Sequence, residues 1–140
     1  MYKEVLPENC PTSDSEDIYH PKAYRMPESS VVSDEDFHSH AKKGKKRLER
    51  YTHCEWSGCS FFSDFKEIVE YQRSNPKLRK KFKYIAEIEI TKGSGRSSKI
   101  DKKTHFNFWA YEGFDFVQAV KNVVAIGGIN AGPNSGNSSS

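Results

Sequence analysis

The chain has 140 residues, of which 35% are hydrophobic and 13% aromatic, with a formal net charge of +3. That is the length of one domain with a small core carried by aromatic side chains, each of which buries a large area. No apolar run approaches the ~18 residues a membrane span needs, and the opening Met-Tyr-Lys-Glu-Val-Leu-Pro-Glu-Asn holds no apolar signal core, so a soluble protein of the cytoplasm is expected.

Residues 1–20 hold two prolines, several acids and no periodicity, which predicts an acidic extended arm that could lie on the rest of the chain. Residues 1–40 carry nine acids against three Lys/Arg, net −6. A short strand is expected after Pro21, at Ala23-Tyr24-Arg25-Met26, ended by Pro27, which cannot donate to a ladder. Ser33-Asp34-Glu35-Asp36 reads as a helix start, with Ser33 as cap and acids at the positive end of the dipole; the helix would include Phe37 and fade near Gly44. Lys42 to Arg50 is too charged for core and reads as a loop or exposed turn. Cys59-Ser60-Phe61-Phe62 is a plausible strand. Ser63 then caps a helix whose Phe65, Ile68, Val69 and Gln72 share one face. Asn75-Pro76 stops it, because the residue before proline avoids the helical region.

Phe82 to Thr91 carries the clearest signal in the chain. Phe82, Tyr84, Ala86, Ile88 and Ile90 alternate with Lys83, Ile85, Glu87, Glu89 and Thr91, the pattern of a half-buried strand. Lys92-Gly93-Ser94-Gly95-Arg96 reads as a turn that returns the chain antiparallel through Lys99 to Lys103. His105 to Tyr111 is a second strand, with Phe106, Phe108 and Ala110 opposing His105, Asn107, Trp109 and Tyr111. The expectation is that these two strands pair across the glycine loop. Phe114 to Val124 fits a short helix with Phe116, Val117, Val120 and Val124 as its stripe. Residues 126–140 are rich in glycine and serine and hold no acid or base, which predicts a disordered tail. The whole reads as α+β: an acidic arm at 1–20, one domain at 21–125 with a small antiparallel sheet and two or three short helices, and a tail at 126–140.

Several phrases resemble those of a family of short bacterial and prophage proteins: the Cys10-Pro11 arm, Tyr24-Arg25, Asp36-Phe37-His38-Ser39, Cys59-Ser60-Phe61-Phe62 and the His105 to Trp109 strand. The resemblance spans roughly residues 8 to 120, judged by pattern. It implies a bacterial or phage origin and no particular activity. A second likeness is to ADP-ribosyltransferase folds, which use an early arginine or histidine, a serine-led strand and a glutamate in an acid-x-acid pair. Arg25, Ser60 and Glu87-Ile88-Glu89 follow that order, although Ser60 leads into Phe61-Phe62 instead of Ser-Thr-Ser, and the glutamates lie inside a strand. What this likeness implies is an alternative function, nucleotide or ADP-ribosyl chemistry with Arg25, Ser60 and Glu89 as catalytic residues.

Three groups of residues are candidate sites. Residues 41–104 carry eighteen Lys/Arg against eight acids, net +10. Within them, Lys42, Lys43, Lys45, Lys46, Arg47, Arg50, Lys80 and Lys81 form basic clusters of the kind that neutralise phosphates, with Tyr51, Trp56, Phe82 and Tyr84 near enough in sequence to stack on bases. His105, Trp109 and Tyr111 share a strand face and line a ligand cleft if the opposing phenylalanines are core; packing is the competing use of the same row. Cys54 and Cys59 with His38, His40 and His53 make a partial zinc set, but a second close cysteine pair is missing, and no metal or cofactor is expected. The three cysteines should be reduced thiols, although Cys54 and Cys59 could pair under oxidation. The leading function is a small non-catalytic binding protein that engages a polyanion or acidic protein surface through its basic middle.

Overall fold

The alternating stretch forms a strand at Tyr84–Ile90. In the computed structural model, which describes residues 1–128, it belongs to one six-stranded sheet whose neighbours all pair antiparallel. The strands are β1 (His20–Arg25), β2 (Cys59–Phe62), β3 (Tyr84–Ile90), β4 (Gly95–Ser97), β5 (His105–Ala110) and β6 (Val120–Ala125). Across the sheet they run β4-β5-β2-β1-β3-β6. Among the described residues four short helices accompany them: α1 (His53–Trp56), α2 (Phe65–Arg73), α3 (Pro76–Lys81) and α4 (Phe116–Ala119). The architecture is α+β. No helix among the described residues is long and apolar enough to cross a membrane.

The expected pairing of the two best strands is corrected. β3 pairs with β1 and β6, and β5 pairs with β2 and β4, so β1 and β2 stand between them. The glycine turn leads only to the three-residue β4, which bonds to β5 at the sheet's far edge. β1 is central despite Pro21, because the proline falls where the β1–β3 register shifts between His20 and Ala23 and no ladder donor is demanded. β1 and β2 share a single register pair, Tyr24 with Phe62.

Other boundaries differ for local reasons. Only Asp34–Phe37 winds, as one 3-10 turn, in place of the longer helix expected there. Pro76 ends one helix and begins another: Asn75 accepts from Lys77 N and Leu78 N, and Pro76 occupies the first turn, where its missing donor costs nothing. The Phe114 to Val124 segment is a four-residue helix followed by β6, since its β-branched run Val120, Val123 and Val124 suits a pleated surface. The expected tail lies outside the described residues from 129 onward, while Ile126 is buried under the sheet.

The sheet buries both faces. Ala23, Cys59, Phe61, Ile88, Ile90, Phe106, Phe108 and Ala110 form one face, closed by Phe37 and Phe116. Tyr24, Phe62 and Ile85 lie on the other, under Ile68 and Val69 of α2. The acidic arm is extended and fastened to the β4–β5 end by Lys3 N to Ala110 O (2.9 Å), Glu112 N to Met1 O (2.8 Å) and a bridge of Glu16 with Ser97. A disulfide joins Cys10 to Cys54, correcting the expectation of reduced thiols, and the partner of Cys54 is not the Cys59 that oxidation could have supplied. The arm carries Cys10 across to α1, whereas Cys59 points into the phenylalanine face as a free, buried thiol. Such bonds persist in oxidising surroundings, so cysteine usage does not argue for a reducing compartment.

Candidate functional site

Antiparallel pairing places Ser60 opposite Asn107 and Phe62 opposite His105. Side chains of directly opposed residues lie on the same side of a sheet, and their diagonal neighbours are within reach. Ser60, Phe62, His105 and Asn107 therefore make one patch on the face that α2 covers only in part. α1 and the loop before it wall one side of this patch with Tyr51, Glu55 and Trp56, and α2 walls the other with Glu67, Glu70, Tyr71 and Ser74. Asp101 and Lys103 lie at one end, and the open cleft measures about 540 Å³.

The cleft floor is hydrogen-bonded. Ser60 Oγ and His105 Nε2 share a short hydrogen bond. On the other side of the ring, His105 Nδ1 faces Asp101 Oδ2 at 3.8 Å. Asp101 is held by its own turn, because its Oδ1 accepts from Lys103 N (2.8 Å) and His105 N (3.0 Å). Burial lowers the His105 pKa, outweighing the raising influence of Asp101 and Glu55, while Arg25 lowers it further. The imidazole is thus neutral near pH 7. Gly58 lets the floor close up: a Cβ there would lie 3.0 Å from Asn107 Cβ and 3.1 Å from Trp109 Nε1.

The basic segments gather at the cleft's rim. His40 lines the cleft there with one ring face stacked on Trp56, centroids 4.5 Å apart. Its pKa is lowered to about 4, first by loss of hydration and then by the charges of Lys45, Arg25, Lys43 and Lys81. Lys43 and Lys45 come from the loop after Phe37 and Lys81 from the end of α3, so two stretches distant in sequence meet here. Lys42, Lys46, Arg50 and Lys80 are exposed, but Lys42 lines a separate pocket with Glu4, Phe37 and Trp109. Arg50 lies 5.0 Å from the Tyr51 ring centroid, and Arg47 donates to Tyr51 O at 2.7 Å within its own loop. Trp56 donates to Lys45 O (2.9 Å) and is buried, so it braces the loop.

The remaining candidates separate. Arg25 projects to the phenylalanine face, where its guanidinium donates to Asp36 O (2.6 Å), Ser60 O (2.8 Å) and His38 O (3.4 Å). Glu89 lies on the opposite face, accepting from Tyr19 Oη (2.6 Å) and facing Lys121 at 3.6 Å. Arg25, Ser60 and Glu89 do not meet in one cleft. Of the aromatic row, only His105 lines the large cleft. Trp109 is buried and donates to Cys54 O (3.0 Å), and Tyr111 packs on Tyr2 at 5.3 Å. Cys54 is spent in the disulfide, burial pushes the Cys59 thiol up to about 11, and no group of three or more His, Cys, Asp or Glu among the described residues is arranged to hold a metal. Sequence reasoning missed Asp101, Glu67, Glu70 and Tyr71. The alternation of Ser60 against Cys59 and Phe61 was its available signal for the floor.

Comparison with known proteins returns no match to a family model, to a curated protein or to a solved structure.

Proposed function

We propose that the protein works by binding, and that it engages an extended polyanion, such as the phosphates of a nucleic acid, through the basic face beside His40. The convergence of Lys43 and Lys45 from one segment and Lys81 from another on that one side chain carries the reading. Lysine charges brought together from separate segments repel one another, and Glu28, 4.0 Å from Lys81, is the acid paired there. A polyanion relieves that repulsion and releases its own counterions, so affinity should fall steeply with salt. An acidic protein surface offers the same charge with less counterion release, and the salt slope separates the two.

The test is a salt titration of single- and double-stranded nucleic acid binding, comparing wild type with the triple variant Lys43→Gln, Lys45→Gln, Lys81→Gln. Each phosphate contact removed should flatten the dependence of log affinity on log salt by roughly 0.7–0.9, about 2 to 3 for the triple variant. All three lysines are exposed, so melting should hardly change. Equal slopes for the two proteins, or binding indifferent to salt, would refute the reading.

A further inference from the structure

The cleft beside the basic face has a different chemistry. Among the described residues, its walls and end hold four carboxylates, Glu55, Glu67, Glu70 and Asp101, against one lysine, Lys103, with aromatic surface from Tyr51, Phe62 and Tyr71. Its floor carries a serine hydroxyl bonded to an imidazole that has a carboxylate behind it. We propose that Ser60 and His105 are a nucleophile and general base for acyl transfer to water, acting on small esters that carry a positive charge. This goes beyond polyanion binding, uses different residues and stands or falls separately.

Serine is a poor nucleophile unless a base takes its proton as it attacks. The base must lie within hydrogen-bond reach and be unprotonated, and His105 meets both conditions. With its proton on Nδ1, toward Asp101, the ring presents a lone pair at Nε2 to the Ser60 O–H. In the first half-reaction Ser60 Oγ bonds to the ester carbonyl carbon and its proton passes to Nε2. The tetrahedral adduct then collapses, the bond to the alcohol oxygen breaks, and His105 returns the proton to that oxygen. In the second half-reaction a water molecule, deprotonated by the same Nε2, attacks the acyl-serine; the carbonyl–Oγ bond breaks, the acid leaves and Ser60 regains its proton. Both halves balance with the ester and water alone.

Asn107 is placed to help. It is the cross-strand partner of Ser60, on the same face and lining the same cleft. An amide N–H there can donate to the oxyanion that forms on attack. Asp101 is a positioning residue: its own turn holds it, and its charge bears on His105 from the Nδ1 side. The acidic walls select among substrates. They attract an ammonium and repel a carboxylate, and the aromatic rings stabilise a quaternary ammonium further.

The full-length protein should be treated with a fluorophosphonate and its peptides analysed by mass spectrometry. Ser60 should carry the phosphonyl group, and His105→Gln should slow labelling by 100-fold or more, the usual scale of a lost general base. Absence of the label from Ser60 in folded wild-type protein would overturn the proposal without recourse to any variant. Labelling of His105→Gln at the wild-type rate would do the same. Hydrolysis of acetylcholine and of its uncharged isostere 3,3-dimethylbutyl acetate, followed by pH-stat, tests the charge preference. A tenfold or greater advantage in kcat/KM for the cationic ester is expected, and equal rates would overturn the substrate class. Arg25 acts on His105 from across the sheet, and Glu55 from α1, Glu67 and Glu70 from α2, and Asp101 and Lys103 from the turn before β5 share its cleft. Asp101→Asn should therefore move the histidine limb of the pH–rate profile to lower pH, a shift that a purely structural role would not produce.

Discussion

Arg25 offers the sharpest test of how this sheet is held together. β1 and β2 share one register pair, so the ladder between them is almost absent. The Arg25 guanidinium crosses that seam from β1 to Ser60 O on β2 and binds Asp36 O in the 3-10 turn as well. Its contact to His38 O, at 3.4 Å, is too long to count fully. Hydrogen bonds to charged groups contribute roughly 1.5–3 kcal/mol each, so two of them come to about 3–6 kcal/mol if the carbonyls stay dry. Arg25 is only half-buried, and water can reach part of the vacated space. Arg25→Met keeps much of the stem's packing and removes every donor; the expected loss is about 2–4 kcal/mol, read from urea melts. Arg25→Lys keeps the charge, but one ammonium cannot reproduce the planar fork, and it should recover at most half of the loss. A change within about 0.5 kcal/mol of wild type for Arg25→Met, the range of an unimportant surface residue, would refute the seam argument and free Arg25 for a role in ligand chemistry.

The Cys10–Cys54 bond closes a loop with a sequence separation of 44, for which chain entropy estimates about 4 kcal/mol; Cys10→Ser or added reductant should lower the melting temperature markedly, and coincident melts would argue that the arm is dispensable. At Gly95, a Cβ would meet Trp109 O at 2.4 Å and Ala110 Cα at 2.8 Å, both backbone atoms, so Gly95→Ala should cost about 3 kcal/mol or more by denaturant titration. Gly113, where an added methyl would meet nothing within 4 Å, is the control and should tolerate alanine. Burial lowers the pKa of His20, which stacks on Phe106 at 4.3 Å, so the folded state resists its protonation. The unfolded chain then takes up more protons below about pH 6.5, and stability present above that value is lost as pH falls toward the folded pKa. Thermal melts from pH 7 to pH 5 should show the decline, and His20→Gln should reduce it.

What the sequence made legible was local. The alternation through Tyr84 to Ile90 and through His105 to Ala110 specifies strands and faces, because a period of two depends on neighbours alone. Partner choice does not. A short glycine turn after Ile90 suggests a hairpin, yet the chain spends that turn reaching β4, and β3 finds its partners in β1 and β6, far away in sequence. The same limit hid the disulfide, since spacing cannot say which cysteines meet once the N-terminal arm folds back over the domain. Val120, Val123 and Val124 fit a helical stripe and a strand equally by position, and only β-branching favours the strand that forms.

The cleft follows from the same division. Ser60 and His105 stand out separately in the sequence, one as the serine that follows Arg25 in the order of an ADP-ribosyltransferase fold and the other as the head of an aromatic row. Neither observation pointed to the other, because the β2–β5 pairing that makes them diagonal neighbours joins residues 45 positions apart. Once that pairing exists, the arrangement has little freedom. Phe61 and Phe106 must face the core, which turns Ser60 and His105 to the opposite side, and the disulfide-anchored α1 and the α2 helix leave that part of the floor uncovered. A one-residue slip of β5 would drive Phe106 into the cleft and His105 into the phenylalanine cluster, at the cost of burying an imidazole among aromatic rings. The hydrophobic alternation that holds the core in register is therefore also what holds hydroxyl and imidazole together.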